Sequence, residues 1–340
     1  MEKIVTFGEM MLRLTPVNHQ RILQTNQYEA SYGGAEGNVA VSLSLLGEDA
    51  SLVSKVPDNL IGESLIEKLL GFGVNTDNIL RGGPRLGTYY FERGASLRNT
   101  NVTYDRKYSS FAQSKAKEYD WPKILQGTKY FYFSGITPAI SPETEKAVLL
   151  ACKYCHKHHI QVICDLNYRA KLWSTQRAQE TMNKLMKYVD ICLAHDEDFE
   201  ASLGIKAFNG DMKHGISQKQ NYIQGMKKII QKFPQCKTVA SILRNVNSVE
   251  DSQWTALMIN NNQVFQAPIY HMHVLEGVAS GDAFGTGLIH ALIHRFSKQK
   301  AISYALAASV LKLTIEGDFN LVSDNEIRAL MEKNKTKMGR

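Results

Sequence analysis

Asp282 follows the small-residue run Gly277-Val278-Ala279-Ser280-Gly281 and precedes Ala283-Phe284-Gly285-Thr286-Gly287 and the apolar stretch Leu288-Ile289-His290-Ala291-Leu292-Ile293. The apolar stretch reads as a buried helix, and the small residues as its N-terminus. Such side chains leave the backbone N–H groups of Ala279, Ser280 and Gly281 open to approach, and the helix dipole adds partial positive charge, so an anion can be held there. A carboxylate beside an anion hole has a clear use when the anion is a phosphoryl group in transfer: it takes the proton of the attacking hydroxyl. That is the chemistry of a kinase. The competing reading is a glycine-rich helix start packed on a strand, with Asp282 serving only as an N-terminal charge.

Other candidate residues follow buried strands. Tyr130-Phe131-Tyr132-Phe133, Gln161-Val162-Ile163-Cys164 and Asp190-Ile191-Cys192-Leu193 have strand character, and polar residues succeed each of them: Ser134-Gly135-Ile136, Asp165-Leu166-Asn167-Tyr168-Arg169 and His195-Asp196-Glu197-Asp198. In parallel sheets ligands bind at these carboxyl ends. Arg169 after a buried strand points to an anionic ligand, because a planar guanidinium pairs well with carboxylate or phosphate; a salt bridge to Asp165 or Glu197 is the alternative. Near the start, Gly33-Gly34 with Asn38 precedes a helix expected over Val41 to Leu46, and adjacent glycines allow close approach of a ligand to the backbone.

The elements that must position these residues alternate as strand and helix, the pattern of an α/β fold with a mostly parallel sheet. Strands are expected at Ile4 to Phe7, Met10 to Leu14, Leu52 to Val56, Lys237 to Leu243 and Trp254 to Ile259, the last two joined by a polar loop from Arg244 to Gln253. Helices are expected at Ile61 to Leu70 and Ala301 to Leu313, and a last one from the Ser323/Glu326 capping box. Leu86 to Arg93 and Asn101 to Tyr108 interrupt the rhythm as a hairpin rich in tyrosine and arginine. Such side chains present apolar bodies with polar tips, which suits a lid sheet that covers a pocket; an edge sheet for oligomerisation is the other reading, and one sheet can serve both, with a ligand on one face and a partner on the other.

Composition bounds the rest. The chain has 340 residues, an apolar fraction of 44%, 8 prolines and a formal net charge of +7. Neither an export signal nor a membrane-length apolar stretch is legible, so a cytoplasmic protein is expected. Basic residues are dispersed except in the tail (Lys333, Lys335, Lys337, Arg340), and no nucleic-acid-binding motif occurs; an acidic small-molecule substrate accounts for the positive balance, with neither nucleic acid nor membrane as partner. The 5 cysteines read as free core thiols. Cys152-Lys153-Tyr154-Cys155-His156 matches a haem-attachment pattern. It falls, however, inside an amphipathic helix capped by Ser141 and Pro142, and the adjacent His158 and His159 point to different helix faces, so neither haem nor metal is expected there.

Taken together, Gly33-Gly34 with Asn38 and Ser280-Gly281-Asp282-Ala283-Phe284, with the Tyr/Arg-rich insertion between, resemble the ribokinase/PfkB family of carbohydrate kinases over essentially the whole chain. Tyr104, Arg106, Asp165 to Arg169, Asp196-Glu197-Asp198-Phe199 and Glu316-Gly317-Asp318-Phe319-Asn320 look most like its 2-keto-3-deoxygluconate kinases. The resemblance implies an α/β three-layer sandwich with a mostly parallel central sheet and a small β-sheet lid. It implies one kinase domain over residues 1–333, with lid segments at about 10–32 and 86–110, a basic tail at 334–340, and homo-oligomerisation through the lid.

It implies ATP and Mg²⁺ as cofactors, with Mg²⁺ held mainly by phosphates and water, and phosphorylation of 2-keto-3-deoxy-D-gluconate to 2-keto-3-deoxy-6-phosphogluconate. Asp282 would be the catalytic base, with Ala279, Ser280 and Gly281 as the anion hole. Gly34, Tyr90, Tyr104, Arg106, Ile136, Arg169, Asp282 and Asp318 would meet the sugar acid; Asn167, Arg244 and Ser248, with Ala279 to Gly281, would meet the nucleotide. Arg106 and Arg169 favour a sugar acid on chemical grounds too, since a neutral sugar would leave a desolvated guanidinium unpaired.

Three departures stand out. Ala279 and Ser280 replace the usual first anion-hole residues, His195 and Asp198 take the Asn and Glu positions of the Asn-x-x-Glu motif, and Arg244-Asn245-Val246-Asn247-Ser248 replaces a Lys/Gly-rich nucleotide loop. A fructokinase-like PfkB enzyme and a non-catalytic sugar-acid sensor are the alternatives.

Overall fold

The computed structural model describes residues 2–332, so the expected basic tail at 334–340 lies outside the described residues. In chain order the strands are β1 (Lys3–Phe7), β2 (Met11–Pro16), β3 (Tyr28–Gly33), β4 (Asp49–Val56), β5 (Ile79–Arg81), β6 (Gly87–Glu92), β7 (Asn101–Asp105), β8 (Thr128–Ser134), β9 (Gln161–Asp165), β10 (Ile191–Leu193), β11 (Thr238–Val246), β12 (Asp251–Asn260), β13 (Gln263–Gln266) and β14 (Tyr270–His273). Ten of them form one sheet in the order β13-β12-β11-β10-β9-β8-β1-β4-β5, with β14 paired to β12. Pairing is parallel from β5 through β11 and antiparallel beyond it. This is a ribokinase-like α/β fold.

Apolar residues of the central strands alternate between two cores, one on each face of the sheet. Tyr130 and Tyr132 join Ile4, Ile163 and Leu193, while Phe131 and Phe133 join Val5, Phe7, Val162 and Cys164. Burial on both faces is why these strands read as continuous apolar runs. All five cysteines are free and buried, and Pro142–Lys157 is a helix capped by Ser141 with Thr144, so the haem-like pattern lies on an ordinary helix.

Strand order reverses at β1, with β4 on one side and β8 on the other. Such a switch point opens a crevice at the carboxyl ends of the strands. Over it stands a second, four-stranded sheet in the order β3-β2-β6-β7, antiparallel except for the parallel β2/β6 pair.

Two expectations shift. The helix placed at Val41 to Leu46 spans Ala35–Leu45, so Glu36 and Asn38 lie in its first turns rather than in a loop. Gly34 serves as its N-cap without a side-chain cap, the signal whose absence hid the true start. Arg244 lies within β11, not in the loop after it, because the β11/β12 pairing continues to Val246 opposite Ser252.

Candidate active site

The helix Ser280–Ile293 begins with Asp282 in its first turn. It approaches its neighbours closely: a Cβ on Gly287 would lie 2.8 Å from Ala305 Cα, which explains the glycine there. The intrahelical ladder starts with Ala283 N–H donating to the Ala279 carbonyl at 3.0 Å. The N–H groups of Ser280, Gly281 and Asp282 precede it and belong to the unsatisfied end of the helix. Ala279 itself is left-handed (φ 60, ψ 14). A glycine fits this conformation freely; alanine pays about 1–2 kcal/mol for it.

Asp282 is buried, and its Oδ2 accepts a hydrogen bond from Asn38 Nδ2 at 2.8 Å. Burial pushes its pKa up to about 7; the Asn38 hydrogen bond opposes that rise, as does the Arg169 charge, while Asp318 and Glu36 add to it. Glu36 is also buried, with Oε1 accepting from the Ser134 N–H (2.8 Å), Ser134 Oγ (2.7 Å) and Thr137 Oγ1 (2.8 Å). Glu36 thereby ties the glycine-pair helix to the end of β8. Gly34 cannot carry a side chain, since a Cβ would sit 2.1 Å from the Glu9 carbonyl oxygen.

A cavity of about 1470 Å³ opens in front of Asp282. It exceeds the roughly 300–1,000 Å³ of a typical small-molecule pocket, which leaves room for two ligands. Of the candidate residues, Gly34, Tyr104, Arg106, Ile136, Asn167, Arg169, Arg244, Ala279, Ser280, Gly281, Asp282 and Asp318 line it. Arg169 is exposed there, and none of the ion pairs among the described residues includes it; the expected rival bridge to Asp165 or Glu197 is not formed. Arg106 is already engaged: its Nε donates to Glu9 Oε2 at 2.8 Å and its Nη2 bonds the same oxygen. Arg244 is likewise paired, to Asp196 at 2.6 Å, and lies over the Trp254 ring.

Two candidates fall elsewhere. Tyr90 is not on the cavity wall; Tyr89 is. Successive strand residues face opposite sides, and in β6 the buried face carries Tyr89 while Tyr90 packs on Tyr28 across the small sheet, with ring centroids 5.9 Å apart. Ser248 lies outside the cavity lining, its Oγ accepting from the Glu250 and Asp251 N–H groups of the β11/β12 turn at 3.3 and 3.1 Å.

The structure adds residues that sequence reading missed. Tyr89 Oη donates to Asp318 Oδ1 at 2.6 Å, and Arg13 Nη1 donates to the same oxygen at 2.8 Å. Arg13 Nη1 also lies 2.7 Å from Glu276 Oε1, and Arg93 Nε 2.9 Å from Glu276 Oε2. The available signal for Arg13 was its phase, since Met11, Arg13 and Thr15 occupy one buried face of β2.

Deeper in the cavity, the His195 Nδ1 accepts from the Ile242 N–H at 3.0 Å. The ring proton therefore resides on Nε2, which is buried without a partner among the described residues, as is Asp165 Oδ1. Burial lowers the His195 pKa to about 4, so the ring is neutral, and burial raises that of Asp165, with the nearby Asp198 and Asp282 charges adding to it. Asp198 spends both oxygens on backbone donors, Tyr168 N–H (2.8 Å) and His195 N–H (2.9 Å), and so clasps the two loops together; burial pushes its pKa up to about 6.

Known proteins share the sequence pattern and the fold. Residues 1–324 match the model of the pfkB family of carbohydrate kinases. The crystal structure of a 2-dehydro-3-deoxygluconokinase from Thermotoga maritima superposes with a TM-score of 0.93 at 41% identity, covering 98% of this chain and all of that one. A PfkB family carbohydrate kinase from Listeria grayi superposes with a TM-score of 0.90 at 29% identity, over 98% of this chain and 100% of its own. A 2-dehydro-3-deoxygalactonokinase from Haloferax volcanii is 30% identical over 329 residues, 97% of this chain and 96% of that protein. The chain belongs to the pfkB family of carbohydrate kinases.

Proposed function

We propose that this kinase transfers the γ-phosphoryl group of ATP to the terminal hydroxyl of a 2-keto-3-deoxy sugar acid, converting 2-keto-3-deoxy-D-gluconate to 2-keto-3-deoxy-6-phosphogluconate. The observation that carries the reading is the pairing, on one cavity, of a buried carboxylate at a helix N-terminus with a guanidinium that has no carboxylate partner among the described residues. Asp282, held by Asn38, accepts the hydroxyl proton. The N–H groups of Ser280 and Gly281 and the helix dipole offset the charge that develops on the phosphoryl oxygens. Arg169 pairs with the substrate carboxylate, while Gly34, Tyr104, Ile136 and Asp318 shape the sugar pocket together with Tyr89. Arg106, anchored by Glu9, keeps Nη1 for the same ligand.

On the nucleotide side, the neutral His195 offers its Nε2–H to a phosphate oxygen, and Asn167 and Arg244 border the same space. Mg²⁺ would fit this side as an ion carried mainly by phosphates and water, since the unpartnered Asp165 Oδ1 could hold its hydration shell; when bound it would supply neutralisation of phosphate charge. The names of the Thermotoga and Haloferax relatives support a keto-deoxy sugar acid and divide between two C4 epimers.

The test is ADP release by purified protein with Mg-ATP and 2-keto-3-deoxygluconate, 2-keto-3-deoxygalactonate, gluconate, fructose or ribose. Selective turnover of a keto-deoxy acid is expected, and the ratio between the two epimers defines the substrate. Preference for fructose or ribose would overturn the sugar-acid reading and leave Arg169 without its assigned partner.

A further inference from the structure

At the far end of the Ser280–Ile293 helix, away from the cavity, Glu48, His290 and His294 bring one oxygen and two ring nitrogens within 4.8 Å of one another. None of the three lines the cavity. His290 lies eight residues after Asp282, about 12 Å along the axis at ~1.5 Å per residue. His290 and His294 stand four residues apart and so share one helix face, the spacing with which a helix presents two imidazoles to one metal ion.

The local geometry is not that of a satisfied hydrogen-bonded cluster. Glu48 Oε1 lies 2.9 Å from His294 Nε2 and accepts from it. The same oxygen is 2.7 Å from His290 Nδ1, yet off the direction a ring N–H would take, so both nitrogens of this buried imidazole lack a hydrogen-bond partner among the described residues. The outer face of the imidazole is also prepared. His290 Nε2 is 3.6 Å from Asp324 Oδ1, and that carboxylate is fixed by Tyr304 Oη at 2.8 Å and Arg328 Nε at 2.7 Å. The Tyr304 ring stacks on His290 at 5.1 Å. Asp324 thus stands just beyond hydrogen-bond distance of the outer nitrogen, and a shift of under about 1 Å would make it the carboxylate support that a metal-bound imidazole takes.

We propose that Glu48 Oε1, His290 Nδ1 and His294 Nε2 form a site for a zinc-class divalent transition ion. Two imidazoles and one carboxylate suit such an ion, whereas Mg²⁺ prefers an all-oxygen, largely hydrated shell, so the metal of the phosphoryl transfer does not compete. His294 is half-exposed, which gives the ion a route in and leaves a fourth position for water. Glu48 follows the helix Ala35–Leu45, whose first turns carry Glu36 and Asn38. A bound ion would therefore join the distal ends of the two helices whose near ends build the active site.

The test is a titration of Co²⁺ into the metal-free, full-length protein at neutral pH, followed by visible absorption, with Zn²⁺ and Mg²⁺ as competitors. One ion per chain is expected, displaced by Zn²⁺ and unaffected by a large excess of Mg²⁺. His294→Ala, at a half-exposed position, and Glu48→Gln should each weaken binding by at least about a hundredfold, and Zn²⁺ should raise the melting temperature of the parent protein but not of His294→Ala. With Mg-ATP and no transition metal present, the ADP-release rate of His294→Ala should equal that of the parent. Absence of a one-to-one complex in the parent, or a complex that both substitutions leave intact, would overturn the proposal.

Discussion

On the small-sheet side of the cavity, Arg13, Tyr89, Arg93, Glu276 and Asp318 partner one another at 2.6–2.9 Å. On the parallel-sheet side, Asp165 Oδ1 and His195 Nε2 have no partner among the described residues, and Arg169 has no counter-ion there. A buried polar group left unpaired is costly, so a network is either closed within the protein or completed by a ligand. On the proposed function the closed network gives the sugar end a rigid wall, the buried Asp165 Oδ1 and His195 Nε2 mark where phosphate and its water complete the set, and the exposed Arg169 is free for the substrate carboxylate. The same contrast separates the two expected substrate arginines: Arg106 is fixed by Glu9, whereas Arg169 is held in reserve.

The largest effect should come from the open side. Asp282→Asn is expected to lower kcat by about a thousandfold or more, because proton transfer and charge placement both fail; near-parental turnover would remove Asp282 as the base. Since the base must be ionised, kcat/KM of the parent should rise as pH passes through about 7. Stability should move the other way. The raised pKa means that the folded chain retains a proton that the unfolded chain has lost, so ΔG of unfolding falls as pH rises from about 4 to about 7, by at most ~1.4 kcal/mol per pH unit. Urea melts of Asp282→Asn at high pH should therefore show a midpoint above that of the parent.

Arg13→Ala attacks the closed network. It strips Asp318 and one Glu276 oxygen of their buried partner, and a loss of about 3 kcal/mol is expected, read as a lower urea midpoint with unchanged slope. A small change would mean that Arg93 and Tyr89 hold the wall alone. Arg169→Ala should raise KM for the sugar acid by about tenfold to a hundredfold, leave KM for ATP unchanged and scarcely alter stability. A stability loss like that of Arg13→Ala would erase the distinction between the two sides. Smallest is Ala279→Gly, which relieves the left-handed alanine and should raise stability by up to about 1 kcal/mol with little change in rate; a lower midpoint would show that alanine suits this turn.

The Gly33-Gly34 stretch was legible because a Cβ there would lie 2.4 Å from Asp318 or 2.1 Å from the Glu9 carbonyl oxygen, and the Ser280-Gly281-Asp282 stretch because small residues run into an apolar helix. Alternation of strand and helix likewise foretold the α/β sheet, since apolar periodicity follows from burial on its faces. The ends of elements were less legible where no side-chain cap marks them, as at Ala35. Strand phase was the other weak point: without knowing which face of β6 covers the cavity, Tyr89 and Tyr90 are equivalent candidates. Sequence by itself therefore determined the family, the helix that carries Asp282 near its start, and the strand ends that open on the cavity. Only the tertiary structure decided which charged groups are paired. Arg13 meets Asp318 across 305 residues of chain, and Arg93 meets Glu276 across 183. Pairing depends on distance and direction in space, which no local pattern of residues encodes.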